Sequence, residues 1–233
     1  MAFVQRVQAN VKIAILIPAY NEALTIGPLV EAVRALGFDC VVIDDGSLDK
    51  TDLIASQAGA VVIKTGGKSG KGNALKTGFN HILKNDYEAL IVMDGDGQHA
   101  PSDIRAFVDC CQTTNADIVG GNRMNDPQGM PFVRLCTNRL MSWLISLFCR
   151  QDIPDTQCGF RLIKTRVLQA VRLECSDFEV ETEVLIKASK KGFKITSVDV
   201  QTIYRDEVSK IQPVRDTVRF VAYLWRELWR KND

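Results

Sequence analysis

The chain has 233 residues, of which 46% are hydrophobic and 24% are charged. This composition is typical of a globular protein, and the length favours one domain over two. The formal net charge of +1 gives no reason to predict a nucleic-acid partner. Residues 1–120 hold 10 Lys or Arg against 14 Asp or Glu, whereas residues 121–233 hold 19 against 14. An acidic half suited to a cation therefore precedes a basic half suited to anions, although solvated surface charge produces the same asymmetry.

The cysteines and the N-terminal segment bear on location. There are seven cysteines, an odd number, without any CxxC pair, which predicts a reducing compartment and no zinc site. The first residues lack the apolar core of a signal peptide. The apolar stretch at 140–149 is about half of the ~20 residues that a membrane span needs. We therefore expect a protein of the cytoplasm, or one bound peripherally to the cytoplasmic face of a membrane.

The first 120 residues alternate between short β-branched runs and amphipathic stretches of helical period. The pattern predicts strands at 12–18, 40–45, 60–64, 89–94 and 117–120, and helices at 22–36, 49–58, 70–84 and 101–112. Continuous apolar strands that alternate with helices are typical of an α/β fold whose mostly parallel central sheet has helices on both faces. Because ligands bind at the carboxyl ends of such strands, the polar residues after each strand form the candidate site.

The alternation ends after residue 120. A loop rich in Gly, Pro and Asn precedes a predicted apolar helix at 132–149, a strand at 159–164, a helix near 181–191, a strand at 194–200 and an amphipathic C-terminal helix at about 213–230. We expect a single Rossmann-like domain over residues 1–233. Its first half, about 12–120, carries the polar strand ends, and its second half, about 121–233, is elaborated.

The most informative segment is MDGDGQH at 93–99, directly after an apolar predicted strand. Two carboxylates two residues apart, Asp94 and Asp96, can both reach one divalent cation, and Gln98 adds an amide oxygen. His99 either helps or only packs. These oxygen ligands suit Mg²⁺ or Mn²⁺, with a diphosphate completing the coordination shell. The alternative is a pair of solvated turn acids.

Two further segments follow the first two predicted strands. In IPAYNE at 17–22, Pro18 and Tyr20 offer an apolar face for a base and Glu22 a hydrogen-bonding group, although a proline turn that begins a helix explains the same residues. In VIDDGS at 42–47, Asp45 and its neighbour can accept hydrogen bonds from a base or a ribose, or else cap a helix.

A glycine-rich segment follows the third predicted strand. GGKSGKGNAL at 66–75 departs from the GxxxxGK[ST] pattern, because Lys71 is followed by Gly72, and a Walker-type NTPase is therefore not indicated. A glycine-rich turn at a helix start can still contact a nucleotide through backbone N–H groups.

Together the four segments resemble, in order and spacing, the nucleotide-sugar site of family-2 glycosyltransferases of GT-A fold. Within that family the chain is most similar to dolichyl-phosphate mannose synthases and their bacterial polyprenyl-phosphate relatives. The resemblance implies Mg²⁺ or Mn²⁺ on Asp94, Asp96 and Gln98, with Asp96 catalytic. It implies a donor site formed by Pro18, Ala19, Tyr20, Glu22, Asp45, Lys71, Asp94 and Gly95.

The second half carries the resemblance to this branch. Arg123, in GGNR, and Arg134, in PFVR, resemble two arginines that face phosphates, and the resemblance makes both catalytic. DTQCGFR at 155–161 is similar to a D-x-x-x-G-F stretch, and Arg205 and Lys210 lie in a segment similar to a late loop that closes over the diphosphate. Residues 121–172 hold 8 Lys or Arg against 3 Asp or Glu beside an apolar helix, which suits a lipid phosphate. The alternative for each arginine is a surface charge over the core.

The expected activity is single-displacement, inverting transfer of a hexose from a GDP-mannose- or UDP-glucose-type donor to a polyprenyl or dolichyl phosphate. An ionised phosphate needs no general base. A hydroxyl acceptor would need one, and Glu181 or Glu183 is then the candidate. A catalytically silent nucleotide-sugar-binding subunit is a further alternative, as is a sugar-nucleotide pyrophosphorylase, whose glycine-rich signature is absent after the first predicted strand. The stretch 213–230 suits either a membrane interface, a membrane-anchored partner or the core.

Overall fold

The computed structural model describes residues 11–127, 129–176, 179–201 and 203. The strands are β1 (Ile13–Ala19), β2 (Asp39–Asp44), β3 (Val61–Lys64), β4 (Ala89–Val92), β5 (Ile118–Asn122), β6 (Arg161–Lys164) and β7 (Ile195–Asp199). The helices are α1 (Ile26–Ala35), α2 (Thr51–Gln57), α3 (Lys71–Leu83), α4 (Ile104–Thr114), α5 (Phe132–Cys149), α6 (Thr165–Ala170) and α7 (Glu179–Lys190), and a 3₁₀ turn (Pro101–Asp103) precedes α4.

All seven strands form one sheet in the order β3-β2-β1-β4-β6-β5-β7. The pairs β1–β2, β1–β4, β2–β3 and β5–β7 are parallel. Only β6 runs against its neighbours β4 and β5. The prediction of a mostly parallel central sheet is therefore confirmed, and strands from both halves of the chain belong to the same sheet.

Helices cover the two faces of the sheet. Alternate residues of each central strand point to opposite faces, so Leu16 joins a core with α3, α5, α6 and α7, and Ile15 joins a core with α1, α2 and α4. All seven residues of β1 are buried. A strand buried on both faces must be apolar throughout, which explains why these runs are continuous rather than alternating.

Two elements differ from the sequence-based prediction. The helix predicted at 22–36 begins only at Ile26, because residues 20–25 form a turn held by the start of α2, where the Thr51 hydroxyl accepts a hydrogen bond from the Glu22 N–H at 2.8 Å. The six-residue helix α6 was not predicted, since so short a segment shows little periodicity. The predicted helix at 213–230 lies outside the described residues. In the part of the chain that the structure describes, no helix is long and apolar enough to cross a membrane.

A buried ion pair joins the end of β5 to the segment before β6. The Arg123 guanidinium donates from Nε to Asp155 Oδ2 at 2.7 Å and from Nη2 to Oδ1 at 3.0 Å. The side chains of Arg123 and Asp155 are only 7% and 0% exposed. The loss of either side chain of a buried bidentate pair is destabilising, because the remaining side chain loses two charge-assisted hydrogen bonds.

We predict that Asp155→Ala lowers the free energy of unfolding by roughly 3–5 kcal/mol, because it removes the buried bidentate partner of the Arg123 guanidinium. Urea unfolding followed by circular dichroism measures the change. Lys64→Ala is the matched control, since its ion pair with Asp52 lies at the surface and its loss should change stability little. Equal effects of the two substitutions would contradict a stabilising role for the buried pair.

Candidate active site

In the segment after β4, half-buried polar residues alternate with buried residues. Asp94, Asp96 and Gln98 are half-buried, whereas Gly95, Gly97 and His99 between them are buried. Gly97 adopts a φ of +71°, a conformation that side chains rarely tolerate, and the Gln98 N–H donates to Asp96 Oδ1 at 2.9 Å. The three predicted metal ligands therefore alternate with the buried residues and are all partly open.

A lysine from another element reaches this segment. Lys71, the first residue of α3, places its Nζ 2.7 Å from Asp94 Oδ1 and 3.4 Å from Glu181 Oε1 on α7. The three side chains are 18–26% exposed. Lys71, Asp94 and Glu181 are called the charged triad below. The triad brings residues that are far apart in the sequence to the carboxyl edge of the sheet.

The triad alters the acidity of its members. Burial by itself would raise the pKa of Asp94, but the positive charge of Lys71 and the contact with His99 together hold that pKa well below its ordinary value. Burial would likewise lower the pKa of Lys71, yet Asp94 and then Glu181 raise it above the ordinary range. Burial, followed by the negative charge of Asp94, raises the pKa of Asp96. Asp94 and Lys71 are thus a firmly charged pair, beside which a second carboxylate is costly.

Two buried polar atoms near Asp94 have no hydrogen bond within the described residues, namely His99 Nδ1 and Glu181 Oε1. The contact of Glu181 Oε1 with Lys71 at 3.4 Å is an ion pair without hydrogen-bond geometry. His99 Nε2 lies 3.6 Å from Asp94 Oδ2, and its ring packs on Phe160 at 5.0 Å between centroids. Buried polar groups are normally satisfied, so each of these atoms can take a further hydrogen-bond partner.

The oxygen ligands of the segment after β4 suit a hard divalent cation, but they do not form a complete metal site by themselves. Among the described residues, no three His, Cys, Asp or Glu side chains are gathered as a metal site. Asp94, Asp96 and Gln98 supply carboxylate and amide oxygens, which suit Mg²⁺ or Mn²⁺ when ligand phosphates complete the shell. The orphaned polar atoms and the carboxylate repulsion at Asp96 agree with that arrangement.

The segment after β1 packs directly on the same region. A Cβ added at Gly95 would lie 3.3 Å from the Pro18 carbonyl oxygen and 3.4 Å from both Ala19 Cβ and Glu22 Cγ. The Thr25 hydroxyl also donates to the Gly95 carbonyl at 2.6 Å. Four predicted donor-site residues, Pro18, Ala19, Glu22 and Gly95, are thereby brought into contact.

The loops after β1 and β2 are joined by hydrogen bonds. The Asn21 N–H donates to Ser47 Oγ, and the Leu48 N–H donates to Asn21 Oδ1, both at 2.9 Å. Asn21 has a φ of +56°, which Asn tolerates better than most residues. Tyr20, the predicted base-contacting aromatic, lies under the Lys68 ammonium at 4.2 Å from the ring centroid.

Asp45 holds the glycine-rich loop. Its carboxylate accepts hydrogen bonds from the N–H groups of Ser69 and Gly70 and from the hydroxyls of Ser69 and Thr65. Burial would raise the pKa of Asp45, but these donors, led by Ser69, lower it. We predicted a direct donor contact for Asp45. In the structure its carboxylate positions the loop that leads to Lys71.

The predicted arginines occupy different environments. Arg123 is buried on Asp155, so its guanidinium does not stand open towards the site, in contrast to the predicted phosphate-facing role. Arg134 is half-buried in the first turn of α5. Arg205 and Lys210 lie outside the described residues.

The two glutamates of α7 have different partners. Glu183 is fully buried, and its carboxylate accepts hydrogen bonds from the N–H groups of Glu174 and Cys175 and lies 2.7 Å from Lys187 Nζ. Glu181 instead belongs to the charged triad. Glu183 therefore anchors the segment before α7, and only Glu181 lies at the site.

Sequence reasoning missed two features of the site. A Cβ at Gly159 would lie 2.9 Å from Asp94 Oδ2 and 3.2 Å from both Lys71 Nζ and Glu181 Oε1. The glycine therefore leaves room for the triad. In the sequence, the only indication of this role was the position of Gly159 within DTQCGFR. The pairing of Lys71 with Glu181 had no signal, because 110 positions separate them.

Comparisons with known proteins agree with this geometry. Residues 14–172 match the family model "Glycosyl transferase family 2". The chain is 31% identical over 224 residues to glycosyltransferase AglJ of Haloferax volcanii, covering 94% of this chain and 71% of that protein. It is 27% identical to a UDP-N-acetylglucosamine–dolichyl-phosphate N-acetylglucosaminyltransferase of Methanococcus voltae, covering 85% and 88%. It is 29% identical to an undecaprenyl-phosphate mannosyltransferase of Micrococcus luteus, covering 84% and 85%.

Solved structures share the fold. Glucosyl-3-phosphoglycerate synthase from Mycobacterium tuberculosis, crystallised with Mn²⁺, uridine diphosphate and phosphoglyceric acid, superimposes with a TM-score of 0.75 at 19% identity, covering 97% of this chain and 81% of that one. Mannosyl-3-phosphoglycerate synthase from Rubrobacter xylanophilus gives 0.74 at 18% identity, covering 96% and 76%. The predicted family is confirmed: the chain belongs to glycosyl transferase family 2 and has the GT-A fold.

Proposed function

We propose that the protein is a metal-dependent, inverting glycosyltransferase that moves a hexose from a nucleotide-sugar to a polyprenyl or dolichyl phosphate. The observation that carries the acceptor class is the charged triad. Glu181, the one α7 glutamate at the site, lies against Lys71 rather than standing free to take a proton. An acceptor that is already ionised suits such a site. The named activities of the Methanococcus voltae and Micrococcus luteus relatives support the same class of acceptor.

The donor would lie across the segments after β1, β2 and β4. Pro18, Ala19, Tyr20 and Glu22 would border the base and ribose, and Asp45 would hold the glycine-rich loop in place. Asp94, Asp96 and Gln98 would hold Mg²⁺ or Mn²⁺, which when bound stabilises the negative charge on a departing nucleoside diphosphate. Solved structures of the glucosyl-3-phosphoglycerate synthase with Mn²⁺ or Mg²⁺ and uridine diphosphate support this expectation.

Lys71 is proposed to contact the diphosphate. Its ammonium is already held at the carboxyl edge of the sheet by Asp94 and Glu181. A cation fixed before the reaction needs little reorganisation as charge develops on the leaving group. Arg205 and Lys210 are proposed to add further positive charge there.

Transfer is a single displacement. An oxygen of the acceptor phosphate attacks the anomeric carbon, forming a carbon–oxygen bond as the bond to the nucleoside diphosphate breaks and its electrons leave with that group. No proton is transferred. Arg134, at the start of α5, is the proposed ligand of the acceptor phosphate. Arg123 is proposed to act on this step indirectly, by fixing the segment at 155–160 through Asp155.

Acceptor class is tested with purified protein, Mn²⁺ or Mg²⁺, and a panel of donors and acceptors. The donors are GDP-mannose, UDP-glucose and UDP-N-acetylglucosamine, and the acceptors are a short polyprenyl phosphate in detergent, the matching polyprenol and 3-phosphoglycerate. We expect transfer to the polyprenyl phosphate and none to the polyprenol, since only the phosphate is ionised. Transfer to 3-phosphoglycerate or to the polyprenol would move the acceptor assignment to a hydroxyl group.

Metal removal tests the proposed ligands. We expect chelation to abolish transfer and added Mn²⁺ to restore it. Asp96→Asn should raise the Mn²⁺ concentration for half-maximal rate by roughly tenfold or more. Electron paramagnetic resonance of bound Mn²⁺ gives a readout that is independent of turnover. Asp109→Asn, at an exposed position on α4, is the control, and a similar shift in both variants would contradict ligation by Asp96.

Substitutions of Glu181 and Glu183 distinguish a base-free mechanism from a base-catalysed one. Glu181→Gln keeps the shape but weakens the hold on Lys71, so we expect the rate to fall by about tenfold or less with an unchanged pH profile. Glu183→Gln should lower the melting temperature, because it removes a buried charge from Lys187. A loss of several orders in kcat for Glu181→Gln, with donor binding intact, would overturn the base-free mechanism.

A further inference from the structure

The hydroxyl of Thr25 makes a contact that its position in the fold does not require. Thr25 immediately precedes α1, at the N-cap position, where a threonine hydroxyl ordinarily accepts a hydrogen bond from an N–H group of the first helical turn. Within the part of the chain that the structure describes, the Thr25 side chain makes no such capping bond. Its hydroxyl instead donates to the Gly95 carbonyl at 2.6 Å, across 70 positions of the sequence. Helix capping therefore does not account for this hydroxyl.

The bond to Gly95 is the shorter of two contacts between the Thr25 hydroxyl and carbonyl oxygens. The Glu22 carbonyl lies 3.2 Å from the same hydroxyl oxygen, but it already accepts the N–H groups of Thr25 and Ile26 at 3.0 and 2.9 Å. A hydroxyl has one hydrogen to donate, and shorter O–H···O distances indicate the better hydrogen bond. The hydroxyl hydrogen is therefore assigned to the Gly95 carbonyl.

The acceptor of this hydrogen bond lies inside the segment that is proposed to hold the metal. Gly95 stands between Asp94 and Asp96, and its carbonyl belongs to the peptide unit that joins it to Asp96. Thr25 is only 7% exposed and Gly95 is also buried, so water has little access to the bond. A buried carbonyl that loses its donor is costly unless the peptide rotates towards another one. Such a rotation would move Asp96 relative to Asp94.

A second hydrogen bond from another element holds the far end of the same segment. The Ile203 N–H, from the segment after β7, donates to the Gln98 carbonyl at 2.9 Å. Asp96 therefore lies in the chain between two carbonyl groups, those of Gly95 and Gln98, that are each fixed by a donor from outside the segment. Of these two donors, only the Thr25 hydroxyl is a side chain, so substitution can remove it without breaking the backbone.

The turn that carries Thr25 is itself anchored. The Ala23 N–H donates to Asp49 Oδ2 at 3.0 Å, and the Glu22 N–H donates to the Thr51 hydroxyl at 2.8 Å. Thr51 is fully buried at the start of α2. A side chain can fix its acceptor only when its own backbone is held, and the turn at residues 20–25 meets that condition.

We propose that Thr25 is a positioning residue for the metal segment: its hydroxyl holds the Gly95 carbonyl and thereby sets the separation of the Asp94 and Asp96 carboxylates. The effect on the metal is indirect, since the bond ends on a backbone carbonyl rather than on a carboxylate. This role rests on the proposed function, in which these carboxylates and Gln98 hold Mg²⁺ or Mn²⁺. It also joins the turn that would border the donor to the segment that would bind the metal.

Mn²⁺ binding to the full chain tests this role. Electron paramagnetic resonance measures free and bound Mn²⁺, first with Mn²⁺ alone and then with uridine diphosphate or guanosine diphosphate added. Thr25→Val keeps the shape of the side chain but removes the hydroxyl, and we expect it to raise the Kd for Mn²⁺ by about tenfold. Thr25→Ser keeps the hydroxyl and should bind Mn²⁺ as the unchanged chain does.

Thr114→Val is the matched control. The Thr114 hydroxyl donates to the Cys110 carbonyl, also at 2.6 Å, at the end of α4. Both valine variants should lower the melting temperature, because each loses one hydroxyl–carbonyl bond, but Thr114→Val should leave the Kd for Mn²⁺ unchanged. An unchanged Kd in Thr25→Val would overturn the proposal. Equal losses of affinity in Thr25→Val and Thr25→Ser would also overturn it, since the serine can still donate to Gly95.

Hydrogen–deuterium exchange of the metal-free chain separates this role from the proposed function. Thr25→Val should make the amides of residues 94–98 exchange faster, and Thr25→Ser should not. If exchange changes in this way while the unchanged chain binds no Mn²⁺, Thr25 positions the segment and the proposed metal site fails. If the unchanged chain binds Mn²⁺ and Thr25→Val alters neither exchange nor affinity, the proposed metal site stands and the positioning role fails.

Discussion

The active site depends on one electrostatic constraint: the carboxylates at the carboxyl edge of the sheet cannot be brought together without positive charge. Asp94 lies near the start of the segment after β4, and Lys71 at the start of α3 pairs with it at 2.7 Å. Glu181 from α7 adds a second carboxylate to the same ammonium. Three elements therefore meet at one cation, and Gly159 leaves the space in which they meet.

The constraint also leaves the site incomplete, which explains its suitability for a charged ligand. One ammonium faces the carboxylates of both Asp94 and Glu181, and burial, followed by the negative charge of Asp94, raises the pKa of Asp96 beside them. A divalent cation that arrives with a diphosphate would supply both charge and further oxygen ligands. Glu181 Oε1, which has no hydrogen bond among the described residues, and the His99 ring, whose Nε2 lies 3.6 Å from Asp94 Oδ2, border the same region. The proposed donor and metal would thus complete a charge balance that the protein leaves open.

Buried ion pairs elsewhere join the segments that surround the site. Arg123 and Asp155 tie the end of β5 to the segment before β6, and Glu183 anchors the segment before α7 through two backbone N–H groups and Lys187. Catalytic groups need such support, because small displacements of a reacting group are costly. The same segment connects the site to α5 through Ser142 and Thr156. Support of the site and the proposed contact with the acceptor phosphate therefore share one helix.

The sequence by itself determined the α/β class, the mostly parallel sheet and the family, because apolar strands, helical periods and four motifs after strands are local signals. It also predicted Asp94, Asp96 and Gln98 as metal ligands, and in the structure these three half-buried residues alternate with buried ones within a single short segment. Only the tertiary structure decided which charges pair. It placed Glu181 on Lys71 and Glu183 on Lys187, although the two glutamates are two positions apart in one acidic run. It also placed Arg123 on Asp155 and Asp45 on the glycine-rich loop. A charged side chain has the same local signal whether it faces a ligand or a buried partner, and that choice depends on residues far away in the chain.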